Sequence, residues 1–390
     1  MLSTLCIANY RSLRDLRLPL GQLTLITGAN GSGKSSIYRA LRLLADAAQN
    51  RVLPSLALEG GFTSALWAGP EEISRAMRAG EVPVQGSVRK HPVALKLGIA
   101  GDDLGYAIEL GLPPPGRMPS GTLFNLDPQV KCEAVWAGPV YRRAAALVER
   151  HNGLLQVRQG RAWQTVDAPL AEFDSMLSQF ADPAQAPETL RMRERLRGWR
   201  FYDSLRTDAE APARRARPGT FTPVLASDGA DLAAAWQTIL EIGDGEGLCA
   251  ALDDAFPGAT VAVDRDASGF RLSMRQPGLL RPLDAAELSD GTLRYLMLLA
   301  ALCSPRPPEL MALNEPENSL HPDLLPALGR LIGAASRHTQ LLVVSHARRL
   351  IASLDEVPGC RSWELEKSLG ETTLRGLTLS DTPAWHWPER

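Results

Sequence analysis

The chain has 390 residues, 45% of them hydrophobic and 22% charged, enough to bury a substantial core without a disulfide or metal staple. That excludes intrinsic disorder, collagen and small secreted scaffolds, and the balance of 42 basic against 44 acidic residues, a net charge of -2, excludes a surface basic all over for nucleic acid while leaving a local basic patch open. Five scattered cysteines with no Cys-x-x-Cys pair signal neither zinc nor disulfides, and no stretch approaches the roughly 20 apolar residues of a membrane span, so a soluble, cytoplasmic chain with no membrane partner is expected.

In chain order, residues 2–8 and 16–20 are short apolar runs separated by the polar Asn9-Tyr10-Arg11-Ser12, and residues 23–27 read as a buried strand ending in glycine. After Gly33, the residues Ile37, Leu41, Leu44, Ala45 and Ala48 recur at helical spacing, which predicts a strand, loop and helix of the kind that builds a parallel sheet. Between about residues 87 and 166, β-like runs at 92–99, 106–112, 132–136 and 154–158 predict an antiparallel lobe. Residues 170–200 read as mainly helical. Residues 191–217 hold nine arginines against four acidic residues, a local net of +5. Two helices near 229–242 and 246–255 and a β pair near 259–263 and 270–274 follow. Helix 292–303, strand 309–313, helix 323–335, strand 340–344 and helix 348–354 then alternate as in an α/β sheet.

Four motifs carry chemistry. Gly28-Ala29-Asn30-Gly31-Ser32-Gly33-Lys34-Ser35, with Ser36 next, fits G-x-x-x-x-G-K-[ST] between a strand and a helix. Glycines there let backbone N–H groups converge on nucleotide phosphates at the positive end of the helix; Lys34 then bridges the β- and γ-phosphates and Ser35 ligates Mg²⁺. Apolar Leu310-Met311-Ala312-Leu313 delivers Asn314 and Glu315 to a strand end, where nucleotide sites of open α/β sheets lie, and Glu315 is placed as the base for the attacking water. Leu288-Ser289-Asp290-Gly291-Thr292 opens a helix; taken alone it reads as an N-cap, Ser or Asp, and its position about 25 residues before Glu315 makes the same groups an anion site. Val343-Val344-Ser345-His346 ends the next strand in a histidine able to donate to a γ-phosphate.

In this order the motifs resemble the ATP-binding-cassette class of ATPases, and within it the RecF, OLD and SMC branch rather than the transporter branch. Asn9-Tyr10-Arg11-Ser12 is similar to the Asn-Phe-Arg-Ser element of that branch, which implies that Arg11 and Ser12 contact the nucleotide. Asn314-Glu315-Pro316-Glu317-Asn318-Ser319-Leu320-His321-Pro322 resembles its Glu-Pro-Glu, Leu-His-Pro segment. The resemblance implies an α/β P-loop NTPase fold, the ABC-type ATPase head, with a mainly parallel core sheet, an antiparallel β subdomain and an inserted α+β lobe. Residues 1–50 and 284–380 would form one discontinuous ATPase domain around an insert at 51–283.

It further implies ATP and Mg²⁺ as ligands, and Ser35 and Asn314 at the metal. Gly28, Asn30, Gly31, Ser32, Gly33, Lys34, Ser35 and Ser36 would lie along the nucleotide, and Lys34, Glu315 and the switch histidine His346 would act in hydrolysis. The ATP-dependent homodimer of the class would set Ser289 and Gly291 of one subunit on the γ-phosphate held by the other. Asn314 stands where the family has an aspartate, so weaker support of Mg²⁺ and slow hydrolysis are expected. The insert lacks the heptads of an SMC coiled coil, and only 44 residues follow His346, too few for the Toprim nuclease of an OLD protein. The expected function is an ATPase acting on a macromolecule, with DNA foremost through residues 191–217, where Trp199, Phe201 and Tyr202 interleave with arginines. The alternative is a regulatory or defence ATPase controlling a separate effector protein; a transporter subunit fits least.

Overall fold

The computed structural model describes residues 1–71, 74–82, 93–114, 116, 121–180, 182–378 and 380–389. Its strands are β1 (Leu2–Tyr10), β2 (Leu13–Pro19), β3 (Leu23–Gly28), β4 (Leu95–Gly101), β5 (Leu104–Gly111), β6 (Gln129–Ala137), β7 (Ala146–His151), β8 (Leu154–Gln159), β9 (Ala162–Val166), β10 (Arg200–Tyr202), β11 (Thr260–Asp266), β12 (Gly269–Arg275), β13 (Leu283–Asp284), β14 (Leu310–Asn314), β15 (Gln340–Val344), β16 (Cys360–Ser368) and β17 (Glu371–Leu374). Two compact units share the chain: Met1–Gly21, Gly28–Gly198 and Trp363–Arg390 form the first, Gln22–Thr27 and Trp199–Ser362 the second.

The first unit is built on an eight-stranded sheet in the order β2-β1-β4-β5-β6-β7-β8-β9, antiparallel at every pairing. The antiparallel lobe expected from residue 87 onward therefore also takes in the first two strands of the chain: Leu5 of β1 faces Leu18 of β2 on one side and Ile99 of β4 on the other. Residues 87–92, where that expectation began, lie outside the described residues. β5 and β6 are buried along nearly their whole length, the polar Glu109, Gln129, Lys131 and Glu133 included. Trp136 of β6 packs edge-on against Trp385, ring centroids 5.5 Å apart, over Cys6, Ala100, Ala107 and Ala134. The unit also holds the amphipathic helix Lys34–Ala47, which buries Ile37, Leu41 and Leu44, and the antiparallel hairpin of β16 with β17.

The second unit contains four parallel strands in the order β10-β14-β15-β3. β15 is buried throughout and β14 up to its last residue, as in a parallel sheet covered on both faces. Helix Asp290–Leu302 is buried all round over residues 293–302, because helices Leu232–Ile242, Gly245–Ala255 and Leu325–Ala335 share one hydrophobic core with it. Leu313 lies level with Val343, and Val343 with Leu25, so β14, β15 and β3 end together at the edge where open α/β sheets bind ligands. Among the described residues no helix is long and apolar enough to cross a membrane.

Candidate nucleotide site

In the first unit, the glycine loop is held in a conformation that ordinary side chains resist. Gly28, Gly31 and Gly33 have φ of 137°, 77° and 106°. Two of them are also closed to a side chain: a Cβ on Gly28 would stand 2.5 Å from the Leu365 carbonyl oxygen, and one on Gly33 2.5 Å from Thr372 Oγ1. Lys34 is buried under this ring, its ammonium donating to the Gly28 and Ala29 carbonyls at 2.7 and 3.0 Å. Helix Lys34–Ala47 starts at Gly33 with no side-chain cap and no acidic residue in its first turn, so its own first turn leaves the positive end uncompensated. Asn30, Gly31 and Ser35 are exposed, Ser36 is half-buried, and Ser32 Oγ is buried without a hydrogen-bond partner. An uncapped helix start, a lysine and an unpaired hydroxyl together suit a phosphate.

The loop is braced from behind by Thr372, which nothing in the sequence singled out. Its hydroxyl donates to the Ser32 carbonyl at 2.7 Å and lies 2.8 Å from Ser12 Oγ, and its N–H donates to the Ser12 carbonyl at 2.8 Å. Ser12 is thus brought to the back of the loop. Arg11, at φ 51°, forks onto Glu59 with Nε and Nη2 at 3.1 and 2.7 Å, and Tyr10 donates to the same carboxylate. Its guanidinium is committed to that pair.

In the second unit, the strand ends bring Glu315 and His346 together. Glu315 sits at φ 48°, rare for a side-chain-bearing residue, with its N–H donating to the Val344 carbonyl at 2.8 Å. This turn sets Glu315 Oε1 3.7 Å from His346 Nδ1, and Asn318 donates to Oε2 at 3.0 Å. Both side chains are partly open to solvent, at 32% and 49%, so they can meet a ligand. Asn314 Oδ1, one residue earlier, is buried without a hydrogen-bond partner. An amide oxygen of this kind is a ligand that a hard cation such as Mg²⁺ accepts.

Two further charged residues of this unit were assigned no role from the sequence. Glu317 Oε1 is buried and accepts from Ser345 Oγ at 2.6 Å and from the His346 and Ala347 N–H groups at 2.9 and 3.2 Å. Arg294 is buried too, and donates to the Glu315 and Pro316 carbonyls at 3.3 and 3.5 Å. Burial pulls its guanidinium below the ordinary range, against the opposing pull of Glu317, Asp203 and Glu315.

Of the two candidate caps at 289 and 290, Ser289 is the one used: its Oγ accepts from the Thr292 N–H at 3.2 Å. Asp290 instead pairs with Arg214 at 2.6 Å, and Arg214 also donates to the Leu288 and Ala285 carbonyls at 2.7 and 3.1 Å. Gly291 has no room for a side chain, since a Cβ would stand 2.6 Å from the Ser319 carbonyl oxygen.

The Arg-rich stretch changes its meaning in the fold. Its eight residues up to Gly198 belong to the first unit and the rest to the second. Arg195 and Arg191 pair with Asp103, Arg193 and Arg197 with Glu194, Arg206 with Asp208 and Arg215 with Glu210. Trp199, Phe201 and Tyr202 are buried, at 3%, 7% and 1% exposure, so the expectation that they interleave with arginines on an open surface is corrected: they are core residues, and bases cannot stack on them.

The parallel strands and the glycine loop define a P-loop ATPase. Two AAA-type ATPase family models match the chain, and its fold is similar to that of SMC heads. The family "AAA domain, putative AbiEii toxin, Type IV TA system" matches residues 162–352, and "AAA ATPase domain" matches residues 1–73. An OLD nuclease from Thermus scotoductus (strain ATCC 700910 / SA-01) is 52% identical over 44 residues, 11% of this chain; the match takes in only 8% of that nuclease's length. In fold, the chain is similar to an SMC head crystallised with the C-winged helix domain of ScpA (TM-score 0.55, 12% identity, 97% of this chain and 98% of that one). It is also similar to an SMC head with an extended coiled coil, bound to the C-terminal domain of ScpA derived from Pyrococcus furiosus (TM-score 0.51, 11% identity, 97% and 96%).

Proposed function

We propose that the chain binds ATP and Mg²⁺ on Gly28, Asn30, Gly31, Ser32, Gly33, Lys34, Ser35 and Ser36, and hydrolyses ATP slowly in the cytoplasm as an ATP-dependent homodimer. On this reading the parallel strand ends and the glycine loop, distant in sequence, serve one nucleotide. Glu315 takes the proton of the attacking water, His346 donates to the γ-phosphate, Lys34 spans the phosphates, and Asn314 and Ser35 support the metal. The observation that carries it is the Glu315–His346 pair, a carboxylate and an imidazole side by side at two parallel strand ends and open to solvent. Ser289 and Gly291, at a helix start held by Arg214, would reach the γ-phosphate of the other subunit. Steady-state phosphate release tests this: wild type turns over with ATP and Mg²⁺, while Lys34→Ala and Glu315→Gln lose turnover; Glu315→Gln hydrolysing at the wild-type rate would remove the assigned base.

The macromolecule under ATP control is DNA or a separate effector protein. Two carboxylates from outside 191–217, Asp103 against Arg191 and Arg195 and Asp290 against Arg214, lower the net charge of the segment from +5 to +3, which leaves less to neutralise phosphates and favours the effector. A gel shift with duplex and single-stranded DNA, with ATP and Mg²⁺ at low and moderate salt, separates the two: a shift that fades steeply with salt supports DNA, and none at either salt supports the effector.

A further inference from the structure

We propose that Glu317 is a positioning residue that holds the imidazole of His346 against Glu315; this rests on the hydrolytic roles proposed above for that pair. Glu317 lies two residues past Glu315, and its side chain is 5% exposed. One oxygen gathers three donors from the segment after β15: Ser345 Oγ at 2.6 Å, the His346 N–H at 2.9 Å and the Ala347 N–H at 3.2 Å. The same oxygen is 3.5 Å from His346 Nδ1, while the other, Oε2, is buried with no hydrogen-bond partner. The Ser345 hydroxyl also accepts from the Ala347 N–H at 3.1 Å, closing a small ring around the histidine backbone.

Convergent donors on a buried carboxylate make strong, charge-assisted hydrogen bonds, and stripping that acceptor leaves the donors unsatisfied. Two features make this a positioning device rather than general packing. The carboxylate binds the backbone of the histidine itself, so it fixes where the ring starts. It also comes from the segment that carries Glu315, whose Glu315 and Pro316 carbonyls Arg294 anchors, so base and imidazole are tied to one support. An apolar residue of the same size would fill the space and hold nothing; glutamine retains one oxygen for the donors but brings an NH₂ that cannot accept.

The test compares Glu317→Ala and the near-isosteric Glu317→Gln with wild type in two measurements. Amide hydrogen exchange of the peptide covering residues 345–347, without nucleotide, should quicken at least tenfold in Glu317→Ala and less in Glu317→Gln, with the glycine-loop peptide unchanged. In phosphate release, kcat should fall at least tenfold in Glu317→Ala while KM for ATP moves less than threefold, with partial recovery in Glu317→Gln. Unchanged exchange at 345–347 overturns the proposal, as does a KM rise at constant kcat. If wild type itself hydrolyses no ATP, the catalytic reading fails while the exchange measurement still decides whether Glu317 holds the loop. If Glu317→Ala does not fold, Glu317→Gln and Ser345→Ala, which removes one of the three donors, carry both measurements.

Discussion

Replacing Gly33 by alanine tests how tightly the phosphate loop is built. At φ 106° an L-residue is strained by about 1–3 kcal/mol. The new methyl would also meet Thr372 Oγ1 at 2.5 Å, so the hydroxyl must leave both Ser32 and Ser12. Two hydrogen bonds at about 1 kcal/mol each bring the cost to about 3–5 kcal/mol, or about 6–20 °C in Tm for a unit of this size. Nucleotide affinity should fall at least tenfold, because the same shift moves the start of helix Lys34–Ala47. Thr372→Ala in the Gly33→Ala background should recover the steric share and leave the φ strain, so a double-mutant cycle read by thermal melts should show a coupling of about 1 kcal/mol or more. A Gly33→Ala protein that melts within a degree of wild type and binds an ATP analogue equally well would refute the argument, and strict additivity would refute the Thr372 contact.

Removing the Arg214 side chain in Arg214→Ala strips the Leu288 and Ala285 carbonyls and Asp290 of a shared donor; urea unfolding should show a loss of about 1–3 kcal/mol, and a change under half of that would deny Arg214 its stapling role. The Arg195 side chain beside Asp103 holds its carboxyl at about 2, below the ordinary value of about 3.9. A lowered folded-state pKa stabilises above the unfolded value and ceases to do so as pH falls through the folded one. The stability gap between wild type and Asp103→Asn should therefore be full above about pH 4 and close toward pH 2; because Asp103 is 39% exposed, it should stay under about 1 kcal/mol, and a gap that ignores pH over this window would contradict the pairing. Asn314→Asp should lower the Mg²⁺ concentration needed for half-maximal ATPase activity, and an identical titration would show that residue 314 does not support the metal.

The parts legible in sequence were those whose cause is local. The glycine loop announces itself because glycine adopts those angles most readily, the strands 310–314 and 340–344 because both of their faces are covered, and the cap at 289 or 290 because Ser and Asp before an apolar helix commonly cap it. What stayed hidden depends on residues distant in sequence. β1 pairs with β4 across some ninety residues, which no short-range period reports. β10 has three residues, too few for any period, and lies inside the Arg-rich stretch. Glu317 stands in the Glu-Pro-Glu segment and Arg214 in the basic stretch with no role of their own, and Arg294 goes unmentioned, until the fold sets all three against carbonyls or N–H groups. The arginines of 191–217 show the converse: nine within 27 residues suggest a field, but Asp103 and Asp290, distant in sequence, pair with three of them in the fold.

The central claim, an ATP-gated dimer with Glu315 as the base, meets its most direct test in light scattering of the Glu315→Gln protein with and without ATP and Mg²⁺. Glu315→Gln should be a monomer that becomes a stable dimer only with nucleotide, and a Lys34→Ala, Glu315→Gln double variant should stay monomeric under both conditions. A Glu315→Gln protein of the same mass with and without ATP, while still binding the nucleotide, would contradict it.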